Sequence, residues 1–216
     1  AHDRMAWLKA AQGFQREGRS GEAIDAYHRF LEIEPRHAGA WADLGGLLMN
    51  LDCLDQASEA CEKALSLEAA HPWGRTNLGC TRMKQGRLEE AEGLLRQVLA
   101  REPHLIDARL ALSECLIREE DPEGALGNLA KVLKQDPRNL LAFNKVIHIH
   151  SRRGDWGALG QEIGRRLSVV PECPEARLEQ SFLSLLLGEM PLGWEQYEIR
   201  FRVPSQQVSI TGPFDQ

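Results

Sequence analysis

Proline stands at positions 35, 103, 137 and 171, separated by multiples of 34, and Ala69 fills the skipped slot. Gly18, Gly86, Gly154 and Gly188 form a second column of the same period, with Asp52 and Glu120 in its gaps. Ala23, Ala57, Ala91 and Ala125 form a third, continued by Leu159 and Gly193. Three columns on one period constrain the chain more than its composition does. Each period is one supersecondary unit that cannot bury its apolar face alone and must stack on its neighbours.

Each period reads as two helices. The first is expected to begin near Trp7, Trp41, Arg75, Arg109, Phe143 and Arg177, with apolar residues at helical spacing such as Trp41, Leu44 and Leu48. The glycine column then permits a tight turn at positive φ. The second helix carries the small Ala column, followed four residues later by Tyr27, Cys61, Leu95, Leu129, Ile163 and Tyr197. A small residue there lets two helices approach closely. The proline column ends the second helix, because proline cannot continue one. Asp121-Pro122-Glu123 reads as a helix start.

This pattern resembles the tetratricopeptide repeat. It is carried best by "NLGCTRMKQGRLEEAEGLLRQVLAREP" in the third period and "AIDAYHRFLEIEP" in the first. The resemblance covers residues 4 to about 202 and implies an all-α, right-handed superhelical solenoid of six helix-turn-helix repeats. The expected domain is 1–202, with repeats near 4–37, 38–71, 72–105, 106–139, 140–173 and 174–202. Residues 203–216 are expected to be an irregular segment and a linker to a further domain. Departures are local: Asp52 and Glu120 replace turn glycines, and Pro72 follows a repeat that lacks its own proline. Gly157, Gly160 and Gly164 fall in the second helix of repeat five, each weakening it by up to ~1 kcal/mol relative to Ala. That helix is expected to be the softest.

Composition narrows the function classes. The net charge of −6 argues against a nucleic acid partner, which requires a clustered basic face. No apolar run approaches the ~20 residues that span a bilayer, and no positive-then-apolar leader opens the chain, so a cytoplasmic protein without a membrane partner is expected. Ala1 in place of Met suggests a trimmed start. The five cysteines are odd in number and contain no CxxC, which reads as free, buried or half-buried thiols in a reducing compartment. No phosphate-loop, dinucleotide, HExxH or GxSxG motif occurs. His148 and His150 point about 200° apart on a helix and do not converge on a metal. The expectation is no catalytic residue, no cofactor and no metal, that is, a non-enzymatic chain.

By the family resemblance, the first helices line a concave groove that takes a protein or peptide. The register then implies Gln12, Gln15, Met49, Trp73, Asn77, Met83, Lys84, Glu114, Ile117, Arg118, Lys145, His148 and Arg152 as groove residues, a partly apolar row beside a basic edge suited to a peptide with apolar anchors and acidic character. A clamp for chaperone carboxylates is incomplete, since Leu8, Asp43 and Ala111 occupy slots beside Asn77 and Lys145. The asparagine ladder of O-linked N-acetylglucosamine transferases is matched only by Asn77.

The last repeat ends in "GWEQYEIRF", which puts Trp194, Tyr197 and Phe201 on one helical face where a solenoid usually closes with a polar cap. With the following "FDQ" it resembles the junction in bacterial tetratricopeptide proteins that carry a C-terminal glycosyltransferase domain of the heptosyltransferase-like kind. That resemblance is local, about two dozen residues. It implies that this chain is the non-catalytic part of a larger protein, and that the three aromatics pack on the next domain. Two other readings stand beside it: inward packing against repeat five, and weak homodimerisation through the last repeat. The alternative function is a free-standing adaptor for complex assembly.

Overall fold

The computed structural model describes residues 2–199. Among them are twelve helices and no strand: α1 His2–Arg16, α2 Ser20–Ile33, α3 Ala38–Asn50, α4 Leu54–Leu67, α5 Pro72–Lys84, α6 Leu88–Arg101, α7 Ile106–Arg118, α8 Pro122–Gln135, α9 Leu140–Arg153, α10 Trp156–Val169, α11 Pro174–Leu186 and α12 Met190–Tyr197. The all-α repeat fold is as expected. The odd-numbered helices start three to five residues earlier than the apolar pattern suggested, and in α3, α5 and α9 a polar cap sets the first turn. His37 Nδ1 accepts from the Ala40 amide and His71 Nδ1 from the Gly74 amide, both at 3.0 Å, and Asn139 Oδ1 accepts from Ala142 at 3.0 Å. These residues fill one column of the repeat. The phenylalanine, tryptophan or arginine column marks the second turn instead.

The turn column has positive φ throughout, from 66° at Gly154 to 85° at Gly188. Asp52 at 63° and Glu120 at 61° adopt the same conformation without being glycine. Left-handed backbone costs an L-residue about 1–2 kcal/mol, so the repeat imposes this turn rather than the local sequence.

The chain forms two compact units, one running to Asp121 and one beginning at Pro122. In the first, Tyr27, Phe30, Leu44, Leu47 and Leu48 are buried among alanines of α1 to α4. Close approach is built from small residues facing each other. A Cβ on Gly45 would lie 2.4 Å from Cys61 Sγ and 3.3 Å from the Ala57 carbonyl oxygen. One on Gly79 would lie 3.0 Å from Leu95 Cγ and 3.5 Å from the Ala91 carbonyl oxygen. In the second unit, Phe143, Ile147, Leu159, Ile163, Cys173 and Ala176 form the core. Here the same two columns hold Ile147 and Leu159, so α9 and α10 pack through side chains and make fewer close backbone approaches than α3 and α4 or α5 and α6. Tight packing returns at α12, where a Cβ on Gly193 would come within 2.6 Å of Leu185.

One hydrogen bond recurs with the repeat. The side chain in the fourth position of the first helix donates to the carbonyl of the proline-column residue. Trp41 Nε1 bonds Pro35 at 2.9 Å and Arg177 Nε bonds Pro171 at 2.9 Å; Arg75 reaches Ala69 and Arg109 reaches Pro103 in the same way. Phe143 has no donor to offer, and Arg166 NH1 serves Pro137 instead, at 3.1 Å.

Candidate protein-binding face

The expected groove residues divide once their side chains are followed. Asn77 Nδ2 donates to the Ala42 carbonyl at 2.9 Å, tying α5 to α3. Gly46 makes room for that bond, since a Cβ there would stand 2.8 Å from Asn77 Nδ2. Lys84 Nζ donates to the Met49 carbonyl at 3.0 Å and lies 3.3 Å from Asp52 Oδ1. Arg118 repeats the geometry one period later, NH1 reaching the Met83 carbonyl at 3.5 Å while Nε holds Glu114 at 3.1 Å. The basic edge in the first unit is therefore engaged with the C-terminal carbonyls of the preceding first helix, where orphan acceptors and the negative dipole end favour a cation.

Met83, in the partly apolar row, is buried, at 7% exposure. Met49 is half-buried against the α1–α4 core and Ile117 is half-buried. Both methionines fill space between successive helices, the use to which a flexible thioether is suited. Gln12 is exposed, and its carbonyl accepts from Arg16 Nε at 3.1 Å. Gln15 Oε1 accepts from Tyr27 at 3.0 Å. The Tyr27 hydroxyl also lies 3.2 Å from Asp43 Oδ2, and burial raises the pKa of both Tyr27 and Asp43. Trp73 alone of the expected apolar set in this unit is widely open, at 44% exposure.

In the second unit Lys145 and His148 are half-buried and Arg152 is exposed on α9. Leu141 shares their face and is 55% exposed. On α11, Leu186 is exposed and shares a face with Glu179, whose carboxyl is pushed up to about 7 by burial. Leu141 occupies the column of Trp73, and reading that column down the chain would have found it.

The terminal aromatics part company. Tyr197 is half-buried against Phe182 of α11, ring centroids 5.5 Å apart, and Trp194 stacks edge-on at 5.7 Å from Tyr197 while remaining 58% exposed. Leu187, Met190 and Leu192 are also exposed. Phe201 and the segment 203–216 lie outside the described residues.

Among the described residues, no group of three or more His, Cys, Asp or Glu side chains is placed to hold a metal ion, and no helix is long and apolar enough to cross a membrane. Cys61, Cys115 and Cys173 are buried and Cys80 half-buried, whereas Cys53 is exposed, against the expectation for that thiol. Burial pushes the Cys61 thiol up to about 12 and those of Cys80 and Cys115 to about 11, so these three are poor nucleophiles at neutral pH.

Two family models described as tetratricopeptide repeat match residues 8–72 and 82–146. The chain is built of tetratricopeptide repeats. It is 24% identical over 204 residues to Protein FlbA of Caulobacter vibrioides, covering 91% of this chain and 34% of FlbA. It is also 24% identical over 203 residues to Protein O-mannosyl-transferase TMTC3 of Homo sapiens, covering 86% of this chain and 22% of TMTC3. The chain thus spans about a third of FlbA and about a fifth of TMTC3. Among solved structures, PilW, a widely conserved type IV pilus biogenesis factor, superposes with a TM-score of 0.79 at 18% identity over 96% of this chain and 97% of PilW. YrrB, a tetratricopeptide repeat protein with an unusual peptide-binding site, superposes with a TM-score of 0.59 at 16% identity over 83% of this chain and 92% of YrrB.

Proposed function

We propose that the chain is a non-catalytic scaffold that binds a protein or peptide on the open faces of its first-of-pair helices, as the repeat portion of a larger bacterial, cytoplasmic, glycosyltransferase-type protein. The observation that carries the binding reading is the contrast between engaged polar side chains and open apolar ones. Asn77, Lys84 and Arg118 are tied to neighbouring helices, while Trp73 in the first unit and Leu141 and Leu186 in the second remain exposed on those faces. Apolar anchors on a rigid helical face suit an extended or helical peptide read by its side chains. The test is selection from a displayed random-peptide library on the purified chain. Peptides with apolar anchors are expected to enrich, and Trp73→Ala or Leu141→Ala to lose the peptides of its own unit; enrichment unchanged by both substitutions would remove this face as the site.

The glycosyltransferase context is supported by the "GWEQYEIRF" motif and by the similarity to TMTC3, whose printed name is that of a mannosyl-transferase. The exposed Trp194, with Phe201 beyond the described residues, is read as the contact with the next domain and with a second copy. An immunoblot of the native protein decides: a band well above 24.2 kDa supports the larger enzyme, and a band at that mass makes the chain a free-standing adaptor. For self-association, Trp194→Ala is expected to shift a concentration-dependent dimer to monomer in sedimentation velocity, whereas a parent that stays monomeric rejects the dimer.

A further inference from the structure

The second unit holds a cavity of about 510 Å³ between α8, α9 and α10. Its walls include Leu126, Ala130 and Leu133 of α8, Phe143 and Val146 of α9, and Val169 of α10. On α9 these residues point away from Lys145, His148 and Arg152, so the cavity is separate from the proposed peptide face. A mostly apolar pocket of this volume falls within the range of small-molecule sites, about 300–1,000 Å³.

Its unusual member is Arg166. The column it occupies holds Phe30, Ala64, Val98 and Val132 in the first four repeats, all buried, and Arg200 in the last, so packing in those four repeats requires no charge. Arg166 is buried as well, at 8% exposure. Its direct partners are neutral: NH1 donates to the Pro137 carbonyl at 3.1 Å, Nε to Cys173 Sγ at 3.5 Å, and the guanidinium lies 5.5 Å from the Phe143 ring centroid; the Cys173 thiol in turn donates to Glu175 Oε2 at 3.3 Å, which leaves that carboxylate one thiol away from the arginine. The Pro137 carbonyl needs a donor because Phe143 supplies none, yet Trp41 shows that a neutral donor serves that column. The nearest carboxylate in the cavity wall, Glu162, is held by Arg165. A buried cation with no carboxylate in direct contact is costly, and a cation–π contact offsets only part of that.

We infer that this cavity binds a small apolar carboxylate, its hydrocarbon body among the α8–α10 side chains and its head group meeting Arg166. Lys134 in the same lining adds positive charge, Arg165 being balanced by Glu162, and this favours an anionic head over a neutral one.

The test uses the full 216-residue chain and decanoate, titrated calorimetrically below its micelle concentration, with 1-decanol as the matched tail lacking the charge. Decanoate is expected to bind saturably at one site and decanol at least tenfold more weakly. Arg166→Gln keeps a donor for Pro137 and removes the charge; it is expected to abolish the tenfold preference. Ala130→Trp fills the cavity from the exposed side of α8 and is expected to abolish binding at parental far-UV helicity, which decides the matter if Arg166→Gln fails to fold. Non-saturable decanoate heats, equal affinity for decanol, or parental binding by both variants would each overturn the assignment.

Discussion

Arg82 in α5 and Arg166 in α10 are both largely buried, and their surroundings are opposite. Arg82 NH1 donates to Ser58 Oγ at 2.8 Å and Gln85 Oε1 at 2.9 Å, NH2 pairs with Glu62 at 2.6 Å, and Nε lies 3.6 Å from Glu90. Arg166 has a carbonyl, a sulfur and a ring. The helices around them differ in the same sense. In the first unit, Gly45 and Gly79 face Ala57 and Ala91 at backbone distance. In the second, Ile147 and Leu159 hold α9 and α10 apart, and the cavity lies beside them. The lesson is that one repeat frame tolerates two packing regimes: a closed one in which polar side chains are mutually satisfied, and a looser one that leaves space and a charge.

The sharpest way to break this comparison is to import the looser column into the tighter unit. Gly45→Ile is expected to destabilise by about 3 kcal/mol, because even its Cβ would overlap Cys61 Sγ and crowd the α4 backbone. A urea midpoint within error of the parent would show that α3 and α4 can separate as α9 and α10 do.

Next in size is the arginine pair. Arg82→Gln is expected to lose about 2 kcal/mol, since it leaves Ser58, Gln85 and two carboxylates without their shared donor. Arg166→Gln is expected to be neutral or stabilising, because it removes a buried charge with no carboxylate in direct contact. Equal losses in chemical denaturation would erase the distinction between the two sites.

Smaller effects follow from backbone. Glu120→Gly is expected to stabilise by about 1 kcal/mol by relieving a non-glycine residue at φ 61°. Gly164→Ala should contribute a similar gain in α10, where a Cβ at that position meets nothing within 4 Å. A drop in melting temperature for either would contradict the local geometry.

A further effect is one of pH. Glu179 has its carboxyl raised to about 7 by burial, above the ordinary 4.5 of the unfolded chain. The folded state therefore binds more protons between those values, and stability contributed by this group falls as pH rises from about 4.5 to 7. Glu179→Gln should flatten that part of the stability profile and leave the region below pH 4 unchanged. An identical profile would place the carboxyl in water.

Much of the fold was legible because its periodic columns are each fixed by one steric demand. A left-handed turn, a close helix approach and a helix stop select glycine, alanine and proline, and these are visible in any register. The binding face was less legible for a related reason. A column tells which side of a helix a residue occupies, not how far its side chain reaches. Lys84, Arg118 and Asn77 stand on the expected side and turn back to carbonyls 35 residues earlier. Met83 stands there too and is covered. Arg166 had a signal, a charge in a column that reads Phe30, Ala64, Val98 and Val132 before it and Arg200 after it, but its partners come from a turn and a helix that the sequence does not bring together.

The terminal aromatics show the same division. Helical spacing alone grouped Trp194 with Tyr197, and only the packing of α12 on α11 sent Tyr197 toward Phe182 and Trp194 outward. What the sequence determined by itself was the periodic all-α repeat with its turns and stops, because those follow from backbone sterics within a few residues. What the tertiary structure alone decided was which charges are satisfied, which apolar side chains stay open and where a cavity remains. Those outcomes depend on distances between side chains a full repeat apart.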